Sequence, residues 1–435
     1  MELLARELKA YTSYKDTGEY YLGEIPSHWK TKKGKWLFVK KERPVNASDE
    51  IITCFRDGEV TLRKNRKTEG FTIALKEHGY QGIRKGDLVI HNMDAFAGAI
   101  GVSDSDGKST PVYSVCAPYN PDEVDAYYYA YFLRNLARRG FIQSLAKGIR
   151  ERSTDFRYYD FGLLFLPLPP KKEQMAITQF LNSKTALIDK AISIKERQIE
   201  LLKERRDALI NKAVTKGLNP KVKMKDSGVE WIGEIPVGWS ICSIGYLAKI
   251  DTGGTPDRTR PSYWNGNIPW IKTGEVNYSI IMETEEFISE KGLRNSATRI
   301  APPGTILMAM YGQGVTRGRV AILGISATYN QACCALQFNE KIINLYSYYF
   351  FMAAYPYIRS IGNETSQMNI SSGYIRKLKI PIPSIKEQKE IATYLGQLIA
   401  ITSKAIATKT DEIEKLKEYK SSLINSAVTG KIKVC

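Results

Sequence analysis

Histidine is almost missing from this chain of 435 residues: His28, His78 and His91 are scattered, so the spacing of a zinc site does not occur. Six cysteines (Cys54, Cys116, Cys242, Cys333, Cys334 and Cys435) form no C-x-x-C pair and are too few for a disulfide framework, which fits a reduced, cytoplasmic setting. Long apolar runs are also missing. The aromatic stretch 345–352 is too short to span a bilayer, and MELLARELKAY at the start has an early acid and no apolar h-region, so neither a membrane span nor a signal peptide is expected. Nor is there a phosphate-cradling G-x-x-x-x-G-K-[ST] loop, an H-E-x-x-H pair or a G-x-S-x-G elbow. Ala301-Pro302-Pro303-Gly304 reads as a turn, not a methyltransferase Asn-Pro-Pro-aromatic motif, and Gly312-x-Gly314 with Gly318 has the wrong spacing for a dinucleotide fingerprint. Pro256-Asp257 could head a nuclease-like carboxylate set, but 46 acids supply such coincidences by chance. No catalytic centre, metal or cofactor is therefore expected in this chain, and the adjacent Cys333-Cys334 reads as buried strand.

What remains is ordinarily globular: 43% hydrophobic, 25% charged, mean hydropathy −0.30, with a length that suits two or three domains. Lysine and arginine exceed acids to give a net charge of +17, which favours a polyanionic partner, most often nucleic acid. Above all, the chain repeats itself. KDTGEYYLGEIPSHW from Lys15 returns as KDSGVEWIGEIPVGW from Lys225, and LPLPPKKEQMAITQFL from Leu166 returns as IPIPSIKEQKEIATYL from Ile380. The second register runs ungapped to Ala213-Val214-Thr215 against Ala427-Val428-Thr429. Between these blocks the halves diverge, sharing only a strand start (Gly86-Asp87-Leu88, Gly304-Thr305-Ile306) and a tyrosine-rich segment (127–132, 346–351). Constant frames around variable inserts point to recognition modules.

Residues 172–214 read as one long helix after Pro167, Pro169 and Pro170. Leu181, Ile188, Ile192, Ile199, Leu202, Leu209 and Ala213 recur in steps of three and four, broken by Lys195 and Arg206. The second copy has Leu395, Ile399, Ile406, Ile413, Leu416, Leu423 and Ala427, broken by Lys409 and Lys420. Heptads sustained this far predict a coiled coil, and about 43 residues rising 1.5 Å each make a rod on the order of 65 Å. Halves related by a two-fold would pair the helices antiparallel; the alternative is two unrelated amphipathic helices, each on its own domain. The expected fold is therefore α+β: two globular domains (1–165 and 219–379) separated by an antiparallel coiled coil of two long helices (166–218 and 380–435), with a pseudo-two-fold internal repeat. Within the second variable unit, 268–271, 305–310 and 319–323 read as strands, and 251–256 and 312–314 as loops.

Only +6 of the net charge lies on residues 171–216 and 386–429, so the surplus sits mainly off the long helices, where a duplex-gripping surface needs it. Candidates in the first unit are Arg63, Lys64, Arg66 and Lys67, and then Arg150, Arg152 and Arg157. In the second, Arg258, Arg260 and Asn265 interleave with aromatics, and Arg317, Arg319, Asn363, Gln367 and Asn369 fall in loops. Arginine pairs bidentately with guanine, asparagine or glutamine with adenine, and lysine neutralises phosphate. For any one of them the competing role is simple solvation of the surface.

The order of these blocks resembles the specificity subunit of type I restriction-modification systems, over essentially the whole chain. The resemblance is carried by Asp226-Ser227-Gly228-Val229-Glu230-Trp231-Ile232-Gly233-Glu234-Ile235-Pro236 with Trp239, its weaker copy at 16–26, Gly253-Gly254-Thr255-Pro256 with Gly266-Asn267-Ile268-Pro269-Trp270-Ile271, and the paired P-x-P-x-x-x-E-Q openings. One departure is Tyr20-Tyr21-Leu22, where the family has Glu-Trp-Ile. The resemblance implies a non-catalytic reader of double-stranded DNA. Each variable unit would be a target recognition domain for one half of a split, asymmetric site, and the helices would set the spacing. It also implies two methyltransferase (modification) subunits, which carry S-adenosylmethionine, and ATP- and Mg-dependent restriction subunits. A hidden nuclease or methyltransferase centre, or a purely structural adaptor, are the competing readings.

Overall fold

The computed structural model describes residues 9–66, 79–145, 155–312, 315–361 and 369–434. They fall into two compact units, one of residues 1–195 with 411–435 and the other of 196–410. Four helices organise them: α1 (Ala126–Arg138), α2 (Lys171–Lys216), α3 (Asn344–Ile361) and α4 (Ile385–Val428). The long helices α2 and α4 run 46 and 44 residues, α2 slightly beyond the expected 172–214 and α4 within the expected 380–435. Each starts just after prolines, whose fixed φ suits a first turn, and each is followed by a left-handed glycine, Gly217 or Gly430, both at φ 73°. No helix among the described residues is long and apolar enough to cross a membrane.

The divergent inserts share one strand order. In the first unit a four-stranded antiparallel sheet runs Phe38–Lys40, Tyr113–Pro118, Leu88–His91, Ile100–Val102. In the second the order is Ala248–Thr252, Cys333–Phe338, Ile306–Ala309, Val320–Leu323, again antiparallel throughout, with Ile280–Ile281 added parallel at the edge. Each insert is closed at its base by a strand pair, Lys30–Lys33 with Phe165–Leu168 and Ser240–Ser243 with Lys379–Ile382. The repeated KDxG…GEIP block is a hairpin in both copies, pairing Tyr14–Asp16 with Glu24–Pro26 and Met224–Asp226 with Glu234–Pro236. Its invariant letters have turn chemistry: the carboxylates of Asp16 and Asp226 accept from the amides of Gly18 and Gly228, glycines at positive φ.

Expected strands at 305–310 and 319–323 are present within a residue or two, and 268–271 is the end of a longer strand, Trp264–Ile271. The loop expected from Asp251 begins only at Gly253, because Ile250, Asp251 and Thr252 still pair with Leu336, Ala335 and Cys334. Cys333 and Cys334 are buried in strand, as expected. Both tyrosine-rich segments are helical.

The remaining repeated residues hold the frame. Gln174 and Gln388 are fully buried. Gln174 Nε2 donates to the carbonyls of Glu123 (2.9 Å) and Pro169 (2.8 Å), and its Oε1 accepts from the Asp125 amide. Gln388 does the same with Lys341 (3.1 Å), Pro383 (3.0 Å) and the Ile343 amide. The neighbouring glutamates take the repeated tryptophans: Trp29 Nε1 donates to Glu173 at 2.7 Å and Trp239 Nε1 to Glu387 at 3.0 Å. Tyr128 donates to the Val428 carbonyl (2.8 Å), and the Tyr346 hydroxyl lies between the carbonyls of Val214 (3.1 Å) and Pro381 (3.0 Å), so in each unit a tyrosine of the shorter helix reaches a last-turn carbonyl of a long one. Tyr346→Phe should therefore lower the stability of its unit by about 1–2 kcal/mol. Urea denaturation reads this, with the exposed Tyr246→Phe as a control; an unmoved midpoint would refute the anchoring role.

The apolar stripes of the long helices point inward. Leu181, Ile188, Ala213, Leu395, Ile413, Leu423 and Ala427 are buried; Ile192, Ile199, Leu202, Leu209, Ile399, Ile406 and Leu416 are half-buried. In the first unit the start of α2 (Leu181, Ile188) shares a core with the end of α4 (Leu423, Ile424, Ala427). In the second the end of α2 (Ile210, Ala213, Val214) packs in one core with the start of α4 (Ile391, Ala392, Leu395).

Candidate nucleic-acid interface

In the second unit the candidates gather around the Trp264–Ile271 strand. Arg258 lies over Trp264, its guanidinium carbon 3.8 Å from the ring centroid and 4.9 Å from that of Trp270. The two indoles meet edge to face at 5.1 Å, and Trp270 Nε1 donates to the Gly254 carbonyl at 2.9 Å. A β-carbon on Gly253 would collide with the carbonyls of Tyr329 and Asn330, and one on Gly254 with the backbone of Ala297 and Thr298, so the Gly-Gly-Thr-Pro run is small for packing reasons. Arg258 also reaches Glu286 at 2.6 Å, and Lys272 lies 3.2 Å from the same carboxylate. Burial pushes the Glu286 carboxyl up, but hydrogen bonds from Arg258 and Lys272 outweigh it and hold the group below its ordinary value. Arg260 donates to the Tyr263 hydroxyl at 3.0 Å, and Asn265 is exposed in a bulge at φ 58°, a conformation asparagine tolerates. The result is a cation–aromatic platform with an amide beside it, offering planar faces for bases, while its arginines are paired with carboxylates, Arg258 with Glu286 and Arg260 with Asp257 at 3.6 Å.

Two arginines expected to read DNA from a loop of this unit behave differently. Arg317 is buried, only 5% exposed, and donates to the Arg359 carbonyl at 3.1 Å; it holds the end of α3 and is not offered to a groove. Arg319 is half-buried, bonded to Asn277 and 5.8 Å over the Tyr278 ring. Asn369 is exposed. Asn363 and Gln367, like Lys67, Arg150 and Arg152 of the first unit, lie outside the described residues.

In the first unit the compact basic cluster is largely neutralised. Arg63 Nε donates to Thr53 Oγ1 (3.1 Å), Lys64 sits 2.5 Å from Glu50, and Arg66 bridges Asp57 (2.7 Å) and Glu59 (2.9 Å) over the Phe55 ring. Arg157 pairs with Asp155 at 2.7 Å yet remains exposed, and it lines an open cleft of about 670 Å³ with Asn92, Met93, Tyr113, Tyr158 and Tyr159. Met93 and Tyr159 are large, exposed and absent from the candidates drawn from sequence. The signal available was the run Phe156-Arg157-Tyr158-Tyr159, which interleaves cation and aromatics as Arg260–Trp264 does in the other half.

The family described as type I restriction modification DNA specificity domain matches residues 236–415. The chain is 24% identical to the putative type I restriction enzyme MjaX specificity subunit of Methanocaldococcus jannaschii, across 95% of this chain and 96% of that one. It is 27% identical to the EcoR124I/EcoR124II specificity subunit of Escherichia coli across 46% of this chain and 48% of that one. Among solved structures, a chain from work on complex assembly and conformational transition of the type I R-M system superposes with a TM-score of 0.72 at 13% identity, covering 93% of this chain and 98% of that one. The HsdS subunit from Thermoanaerobacter tengcongensis follows at 0.55 and 14%, covering 94% and 98%.

Proposed function

As a member of the specificity-subunit family of type I restriction-modification systems, this chain is, we propose, the component that reads a bipartite, asymmetric DNA site and carries no catalytic centre of its own. The observation that carries this reading is one strand order repeated in two inserts whose loops differ. A shared frame positions two readers, and divergent loops let each choose its own bases. The Arg258–Trp264 platform with Arg260 and Asn265, and the Arg157 cleft with Met93 and Tyr159, are the surfaces offered to the duplex. Of the other candidates, Arg63 and Arg319 are bonded to neutral groups and keep their charge, whereas Lys64 and Arg66 are paired with carboxylates.

The long helices act in this proposal as an antiparallel coiled coil that spaces the readers. Two ion pairs support that pairing: Lys195 with Glu412 and Lys420 with Asp189, each 2.6 Å apart. Residue numbers rise on one helix as they fall on the other, as antiparallel neighbours require. The same helices would dock two methyltransferase subunits that bring S-adenosylmethionine, and restriction subunits with ATP and Mg would complete the assembly.

Mixing the chain with its methyltransferase subunits and unmodified DNA should yield methylation at one split sequence, whereas the chain alone with DNA and S-adenosylmethionine should neither methylate nor cut. Its DNA affinity should fall steeply with salt, each phosphate contact adding about −0.9 to the log–log slope. Methyl transfer by the purified chain alone would overturn the assignment, and salt-independent binding would favour a structural adaptor.

A further inference from the structure

Helix α1 carries two arginines, Arg134 and Arg138, one turn apart, and neither has an acceptor among the described residues. Arg134 is the unusual one. It is half-buried, its Nε is closed off from solvent without a hydrogen-bond partner, and its guanidinium lies so close over the Gly58 turn that a β-carbon there would overlap it. Burial and the neighbouring Arg138 both pull the Arg134 guanidinium below its ordinary value, the mark of a cation short of compensating charge.

Both arginines line a pocket of about 200 Å³ in the first unit, together with Asn135, Thr185 and two carboxylates, Asp57 and Asp189. The carboxylates already have partners: Asp57 holds Arg66, and Asp189 takes Lys420 through both oxygens. A half-buried guanidinium without an acceptor costs stability, because its donors lose water and gain nothing.

The duplicated frame supplies an internal control. Gln174 binds the Asp125 amide as Gln388 binds that of Ile343, and Tyr128 binds Val428 as Tyr346 binds Val214, so both anchors set the same offset between α1 and α3. By that offset Arg134 corresponds to Met352 and Arg138 to Pro356. The frame thus works without cations at these positions, and the first unit has acquired them for another purpose.

We propose that Arg134 and Arg138 form an oxyanion subsite of the phosphate class, filled either by a phosphodiester of bound DNA or by a free phosphate group. A tetrahedral oxyanion provides acceptors for two guanidinium forks at once. The phosphodiester source rests on the DNA-binding reading above; the free-phosphate source does not.

The test uses the full chain, Arg138→Gln and Arg134→Met, the last introducing the residue that the other half already has. Melting temperature is followed against inorganic phosphate, with chloride holding ionic strength constant. Duplex affinity is followed against salt in parallel. A phosphate-specific rise in the wild type that weakens about tenfold or more in both variants establishes the subsite. With that rise, a salt slope shallower by about one in the variants assigns it to DNA phosphate, and an unchanged slope to a free anion. A shallower slope without the rise also supports the subsite, as one that forms only on DNA. Wild-type and variant proteins indistinguishable in both measurements would overturn the proposal, as would a phosphate response that both variants keep in full. Arg138 is exposed, so Arg138→Gln reads the site even if Arg134→Met disturbs folding.

Discussion

Replacing residues 244–378 with the corresponding insert of another specificity subunit should rewrite one half of the recognised DNA sequence and leave the other half and the spacer unchanged. The structure dictates where to cut. Ser240–Ser243 pairs residue for residue with Lys379–Ile382, and the Ile244 amide donates to the Leu378 carbonyl at 2.8 Å, closing the insert just inside that ladder. An exchange of 240–374 would carry one strand of the pair away from its partner. The first unit offers the same seam at 34–164, where the Gly34 amide donates to the Leu164 carbonyl at 2.9 Å. Methylation mapping of cells carrying the exchanged subunit with its methyltransferase reads the result. Affinity for the original site should fall by about 10³-fold or more, the usual margin between specific and non-specific binding. Altered bases in both halves would show that the inserts do not read independently.

Gln388→Met should destabilise the second unit by about 3 kcal/mol or more. Methionine keeps the length and fills the space, so packing changes little. It removes an acceptor from the half-buried Ile343 amide and a donor from the carbonyls of Lys341 and Pro383, the last of them buried. Each buried group left unpaired costs about 1–3 kcal/mol, and these three tie the loop before α3 to the first turn of α4. Lys386→Met, two residues away and exposed, should cost within about 0.5 kcal/mol. Denaturant unfolding of the full chain distinguishes the two, and equal midpoints would mean that Gln388 only fills space.

Both glutamines were visible in the sequence as repeated letters, yet nothing there says what they do. Repetition of Trp29, Glu173 and Gln174 in the second copy marks them as part of the constant frame without saying what they bind. The hydrogen bonds decide for a brace, since each polar atom that the repeat preserves is spent on another part of the same unit.

What the sequence alone determined were the properties that local pattern encodes. The duplication, the two long helices with their apolar stripes, the placement of charge off those helices and the family resemblance all follow from spacing and composition, which survive without knowledge of distant contacts. Tertiary structure alone decided which side chains face outward and which have partners. Arg317 and Arg258 look alike as letters near aromatics, but one is sealed beneath α3 and the other stacks on an open indole. The common strand order of the inserts was hidden because β-pairing joins residues far apart in the chain and tolerates almost any side chain of suitable burial. Arg134 stood among several arginines of similar appearance until folding brought it over Gly58, in a pocket whose two carboxylates, Asp57 and Asp189, already hold Arg66 and Lys420. Burial and partner choice depend on contacts between remote segments, and no short window of sequence contains them.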